Sequence, residues 1–271
     1  MPHITDPLLI VTDLDGSLLD HHTYSWQPAA DWLALLRQNT IPVVICSSKT
    51  AAEIQVLQKS LALEGLPFIA ENGAVLHLDV QQHSDSPALS SQVLGKDYST
   101  IRQAMEQLRS LKGYKFFGFG DVSEKEIIEW TGLSASDALL AKQREASEAF
   151  IWRDTDERLA EFATDLALDD LTITQGGRFY HVMSAGSGKG PAIKWLLDKY
   201  RQLDGREWKT IGLGDGPNDV SMLEAVDYAV VIRGYSNIPV ELSPLQHYVY
   251  RTQSYGPEGW SEGLSHFITA V

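Results

Sequence analysis

LLIVTDLDGS, residues 8–17, runs an apolar segment straight into two aspartates one residue apart and a glycine. Leu8 to Thr12 reads as a buried strand, because a short unbroken apolar run suits a strand covered on both faces. Carboxylates are costly to bury without partners. Asp13 and Asp15 therefore stand in solvent at the mouth of the strand, or a cation and a substrate belong there.

The chain on either side supplies the rest of a sheet. QPAADWLALLRQ, 27–38, predicts a helix with Pro28 early and Trp32, Leu35 and Leu36 on one face. IPVVICSS is a short apolar strand ending in hydroxyls, and TAAEIQVLQKSLALEG a second helix stopped near Gly65. PFIAENGAVLHL gives a strand, a turn at Asn72-Gly73 and another strand. This β-α-β-α-β order predicts a parallel sheet with helices on its faces.

Residues 81–97 are polar and loop-like. Helices are expected near 98–111, 124–131, 135–143 and 156–168. A strand is expected at 149–152, and a strand pair over 171–183 turning at Gly176-Gly177. From Gly188 the alternation returns, with helix 189–202, strand 209–213, helix 217–226 and strand 228–232. The pattern is one α/β domain interrupted by an inserted α+β unit.

The chain has 271 residues, 44% of them hydrophobic and 21% charged, as in a soluble globular protein. A net charge of −14 argues against nucleic acid and anionic membrane as partners, and leaves room for a small anionic substrate at a local cluster of cations. The single cysteine, Cys46, sits in an apolar run and reads as a buried thiol. With neither a signal-type segment nor a membrane-length apolar run, the expected location is the cytoplasm.

Ligands of parallel sheets bind beyond the carboxyl ends of the strands. Polar clusters fall at those ends: Asp13/Asp15/Gly16, Ser47/Ser48/Lys49, Glu71/Asn72/Gly73 and Gly214/Asp215/Gly216/Asn218/Asp219, with Lys189 in GSGKG opening a later helix. Singly, each can be a cap or a turn. Together they crowd four aspartates, which repel one another unless a divalent cation joins them. Mg²⁺ suits such an all-oxygen set. The assignment is side chains from Asp13 and Asp215, the backbone carbonyl of Asp15, and Asp219 as ligand or as second acceptor.

Lys189 and Ser47 add donors of the kind a phosphoryl group needs. A P-loop does not fit, because Met183 and Gly190 stand where that motif needs glycine and a hydroxyl residue. Asp13 is the expected nucleophile. Asp15 is the expected acid and base, protonating the leaving oxygen and then activating water. Backbone N–H groups near Gly16 complete the phosphoryl site, and Ser48, Lys49, Asn72 and Asn218 are further candidates for substrate contact.

DLDGS, Ser47, Lys189 and GDGPND resemble, in order and spacing, the four motifs of the haloacid dehalogenase superfamily of phosphohydrolases. The resemblance implies a Rossmann-like parallel-sheet core, residues 1–88 and 186–271, with an inserted C2-type cap of Cof-type relatives at 89–185. A narrower resemblance, to the mannosyl-3-phosphoglycerate phosphatases, rests on GFGDVSEKEIIEWTGLS, AKQREASEAF, GGRFYHVM, GPEGWSEGL and SSKT. It implies hydrolysis of that doubly anionic substrate. Lys142, Arg144 and Arg178 lie in these stretches as candidate partners of the carboxylate, arginine offering a two-pronged donor. His181 is placed on the face of Phe179 by strand alternation. Trp260 is read as part of a loop near the site or as an ordinary tail tryptophan. A broader sugar-phosphate phosphatase, a phosphomutase and a phospho-ligand sensor are the alternatives.

Overall fold

The structure is a computed structural model describing residues 1–78, 91–176, 178–236, 238–244 and 248–269. In chain order β1 (Leu8–Thr12) leads through α1 (Ala30–Gln38) to β2 (Val43–Cys46), and α2 (Ala51–Leu61) leads to β3 (Phe68–Ala70) and β4 (Val75–His77). Next come β5 (Gln92–Val93), α3 (Tyr98–Lys112), β6 (Phe116–Gly118), α4 (Glu124–Thr131), α5 (Ala135–Ala141) and β7 (Ser147–Trp152). They are followed by α6 (Asp156–Ala167), β8 (Leu171–Gly176) and β9 (Phe179–Ser184). The remaining elements are α7 (Lys189–Asp204), β10 (Lys209–Gly214), α8 (Val220–Leu223), β11 (Tyr228–Arg233), β12 (Tyr248–Tyr255) and α9 (Gly256–Phe267). No described helix is long and apolar enough to cross a membrane.

The chain divides into two compact units, one of Met1–Ser47, Leu66–Ile69 and Gly188–Val271, the other of Ser48–Gly65 and Ala70–Ser187. The second unit thus takes α2 and β4 along with the segment read as an insert. The expected boundary at residues 88–89 lies outside the described residues, as does Gly177 of the expected turn.

The first unit is built on parallel strands in the order β12-β11-β10-β1-β2-β3. β1 is buried at every position, the pattern of a central strand covered on both faces. Its register with β10 pairs Thr12 with Leu213, so Asp13 and Asp215 leave the sheet side by side. On α1 Leu36 is buried as expected, Trp32 and Leu35 are half-buried beside it, and Leu33 joins the buried face. The expected helix 217–226 is a 3₁₀ turn at Pro217–Asp219 followed by α8.

Of the two readings of Trp260, the loop is not what forms: Gly256 to Trp260 open α9, with Pro257 in its first turn. Trp260 is fully buried, and its indole N–H donates to Thr12 Oγ1 at 2.9 Å. Thr12 in turn donates to the carbonyl of Asp13 at 2.7 Å. Glu262 ties α9 to β12, accepting from Tyr250 Oη at 2.9 Å and from the N–H groups of Gln253 (2.9 Å) and Ser254 (3.0 Å). Burial opposes its charge, but these donors prevail and hold the carboxyl down to about 2. An acid lowered in the fold stabilises it above the unfolded pKa, and the contribution fades as pH falls through the folded one. Glu262→Gln is expected to cost about 1–2 kcal/mol at neutral pH. In denaturant melts the gap to the parent should close as pH falls from 4.5 to about 2, and a gap that ignores pH contradicts the assignment.

The second unit holds an antiparallel sheet in the order β6-β7-β9-β8. Alternation along β7 splits its side chains between two clusters. Phe150 packs with Ile101 and Met105 of α3 and Phe162 and Leu166 of α6. Ala149 packs with Ile127 of α4 and Ala138 and Ala141 of α5. α2 opens on a reciprocal cap between Thr50 and Glu53, and the Thr50 hydroxyl also donates to Leu140 O at 2.9 Å.

Candidate active site

Beyond β1 the backbone turns sharply. Ser17 and Leu19 donate N–H bonds to Leu14 O (3.0 and 2.8 Å), and Gly16 donates to Leu19 O (2.8 Å). Gly16 sits at φ +83°, and a Cβ there would lie 2.5 Å from Asp215 Oδ2, so conformation and space both require glycine.

Asp13, Asp215 and Asp219 each place a carboxylate oxygen within 4.8 Å of the others. Lys189, 1% exposed, opens α7 and joins two of them, with Nζ 2.8 Å from Asp13 Oδ1 and 2.6 Å from Asp219 Oδ1. Asp219 Oδ2 accepts from the N–H groups of Asp215 and Gly216 at 3.0 Å each. Asp215 Oδ1 accepts from Ser17 Oγ at 3.2 Å. Gly190 follows Lys189 because a Cβ there would strike Ser221 O at 2.3 Å.

The electrostatics follow from this packing. Burial raises the Asp13 carboxyl, and Asp219 raises it further against the pull of Lys189. Burial also raises Asp215, with Asp219 and Asp13 adding to it. For Lys189 burial opposes the charge, and Asp13 and Asp219 more than restore it. Burial pushes the Cys46 thiol far up, so it stays neutral.

A hard divalent cation suits this donor set. Asp219 has both oxygens engaged, by Lys189 and by the two N–H groups, as expected of an acceptor that holds the lysine. Asp13 Oδ2 accepts no hydrogen bond among the described residues, and the Asp13 and Asp215 side chains are those suited to face Mg²⁺. Asp15 is half-buried, close enough to raise Asp13 by repulsion. Ser47 is buried at the end of β2, its N–H bonded to Ile69 O at 2.9 Å. Asn218 lies under Gly216, where a Cβ would meet its Oδ1 at 2.6 Å.

Within the second unit the structure joins some of the remaining candidates and separates others. Arg144 is buried, donating from Nε and Nη2 to Ser147 Oγ (3.2 and 2.9 Å), from Nε to Ser147 O (3.1 Å) and from Nη2 to Ser48 O (3.1 Å). Its Nη2 lies 3.5 Å from His181 Nδ1. His181 is opposite Ala149 in the sheet, and Phe179 shares its face by alternation. Asn72 is 3% exposed, with neither amide atom hydrogen-bonded. Lys49 is half-buried, and its carbonyl accepts from the N–H of Glu71 at 2.9 Å. Lys142 points elsewhere, its ammonium 2.6 Å from Val122 O and 3.5 Å from Glu124. Arg178 is exposed and donates to Thr131 O at 3.3 Å, at the end of α4.

Two residues given no role from the sequence bury their carboxyl groups here. Glu71 is fully buried and accepts bonds from the segment beside Arg144. Glu148 is fully buried, its Oε1 accepting from Gly120 N (2.9 Å) and Arg102 (3.3 Å), and burial raises its carboxyl. GFG at 118–120 is glycine at both ends because a Cβ would meet Glu148 Oε1 at 2.0 Å or Tyr98 Oη at 2.5 Å.

The fold is α/β, and its strand ends gather three carboxylates around one buried lysine. The chain belongs to the haloacid dehalogenase-like hydrolases, the family of that description matching residues 10–237. Phosphatase activity is what that family supports in general. Solved structures share the fold at low identity. Protein 0175 of Thermoplasma acidophilum matches with a TM-score of 0.68 at 18% identity, covering 97% of this chain and 98% of that one. BT1666, a haloalkanoate-superfamily phosphatase from Bacteroides thetaiotaomicron, gives 0.66 at 19% identity, covering 97% and 96%. BT4131, described as a subclass IIB sugar phosphatase, gives 0.65 at 18%, covering 96% and 98%.

Proposed function

We propose that this chain is a Mg²⁺-dependent phosphomonoesterase acting through an aspartyl-phosphate on Asp13, with mannosyl-3-phosphoglycerate as its preferred substrate. The observation that carries the reading is the state of Asp13: Oδ1 is held by Lys189 at 2.8 Å, and Oδ2 is left without a protein donor among the described residues. Oδ2 attacks phosphorus while the ester oxygen leaves with a proton from Asp15. Asp15 then takes a proton from water, whose oxygen attacks the phosphoryl group and returns the Asp13 carboxylate. Lys189 keeps Asp13 aligned and charged through both steps, and Ser47 is assigned a bond to a phosphoryl oxygen. Mg²⁺, when bound, neutralises phosphoryl charge.

For the second anionic group, support comes from the second unit. Arg144 leaves Nη1 free of protein acceptors among the described residues, and Asn72 presents an unbonded amide. We assign residues 89–185 the choice of substrate, with Arg144 and His181 as the candidates for binding the glycerate carboxylate. Lys142 and Arg178 are engaged by acceptors of their own unit and rank below them.

A phosphate-release screen over mannosyl-3-phosphoglycerate, 3-phosphoglycerate, hexose phosphates and p-nitrophenyl phosphate tests this. The first is expected to exceed the others by at least ~30-fold in kcat/KM, a difference of about 2 kcal/mol. A chelator should remove at least ~99% of the activity, and Mg²⁺ should restore it. Comparable rates on several hexose phosphates favour a broad sugar phosphatase, as BT4131 is described. Full activity in chelator removes the metal from the proposal.

A further inference from the structure

Glu71 begins a run of residues with positive φ: Glu71 at 51°, Asn72 at 56° and Gly73 at 96°. Glycine adopts this conformation freely, whereas at each of the other two it costs about 1 kcal/mol or more. Two consecutive strained residues persist only where the surroundings fix them.

The surroundings here are specific. The Glu71 carboxylate accepts from the N–H groups of Glu145 (2.7 Å) and Ala146 (3.1 Å) and from Ser147 Oγ (2.7 Å). Its own N–H is bonded to Lys49 O, and Arg144 Nε stands 3.9 Å from Oε2. The carboxylate at the end of β3 thus grips the segment that carries Arg144, 74 to 76 residues further along the chain. What the strain achieves is the placement of Asn72, whose amide is buried and makes no hydrogen bond. An unsatisfied buried amide costs about 1–3 kcal/mol. Strain and an orphaned amide at one place do not serve the stability of a turn.

We infer that Glu71 is a positioning residue: its carboxylate fixes the Arg144 guanidinium and the Asn72 amide as one recognition element for the part of the substrate that is not phosphate. The inference deepens the proposed function and rests on it. The bonds given for Glu71 lie within the second unit, so its loss should be felt in substrate recognition before phosphoryl chemistry.

Glu71→Gln keeps the shape and leaves one carbonyl oxygen for three donors. KM for mannosyl-3-phosphoglycerate is expected to rise about 30-fold, with kcat within about threefold. The loss in kcat/KM for p-nitrophenyl phosphate should be at least about tenfold smaller. Ser147→Ala, which removes one donor, should move KM the same way by about 3- to 10-fold. It decides the matter if Glu71→Gln lacks a cooperative melt. Equal factors on both substrates would mean that Glu71 only holds the fold, and no effect on either would mean it holds nothing of consequence; each overturns the inference. Should the parent enzyme prefer a hexose phosphate, the glycerate reading falls. The same split between that ester and p-nitrophenyl phosphate then still establishes Glu71, and its absence still removes it.

Discussion

Asp13→Asn is expected to lower phosphatase activity by at least ~10³-fold on every ester tested, p-nitrophenyl phosphate included. The amide is isosteric, and its carbonyl oxygen can still accept from Lys189, so geometry is retained while nucleophilicity is lost. Asp13 is raised by burial and by repulsion from Asp219. Removing that charge relieves crowding, so Tm should equal or exceed the parent's. The pairing of lost activity with undiminished stability is what separates a nucleophile from a structural acid. Radiolabelled phosphate retained on denatured parent protein, and absent from the variant, would trace the covalent step. A variant keeping more than ~10% of parental activity would end the role of Asp13 as nucleophile.

The second large effect is expected at Lys189. Lys189→Met preserves much of the volume but leaves Asp13 and Asp219 facing each other without their shared cation, whose Nζ is 2.8 and 2.6 Å from them. Removing one partner from a buried ionic network costs about 3–5 kcal/mol. Activity should fall by about 10²- to 10³-fold, the scale for losing one preorganised charge at a reacting centre. Sign follows from Asp13, already raised with Lys189 present. A carboxyl raised in the fold favours folding below its unfolded pKa and works against it as pH rises through the folded value. In chelator-treated protein the stability deficit of the variant should therefore narrow as pH is lowered from about 8 to about 5. Urea midpoints measured across that range check it; a deficit that widens toward acid would show that Lys189 is not balancing these acids.

The cluster of acids around Lys189 was legible because its signal is local. Asp13 and Asp215 follow apolar strands directly, Asp15 and Asp219 stand in the turns just beyond, and parallel register brings the strand ends together. The helix at 124–131 was legible too, bounded by Ser123 as cap and Gly132 in the left-handed conformation. Other features depend on partners far along the chain. ENG looks like a turn because nothing beside it announces that Glu71 will be buried against residues 145–147. Nothing near Trp260 announced a helix, and the glycines of α9 serve close packing. A Cβ on Gly259 would sit 2.4 Å from Ser254 O, and one on Gly263 would sit 2.3 Å from Val230. β6 and β12 went unread, β6 for its shortness and β12 because polar and aromatic residues mix along an edge. Lys142 was read as a cation awaiting an anion, and the fold commits it to Val122 O.

The indole of Trp260 reaches across 248 positions of sequence to support the backbone of Asp13 through Thr12. During synthesis Asp13 emerges long before its underpinning. A nascent chain lacking that tryptophan holds the full set of acids and the lysine with nothing beneath the first strand's final hydroxyl. Closing the support beneath that strand therefore waits on translation of the helix that carries the indole.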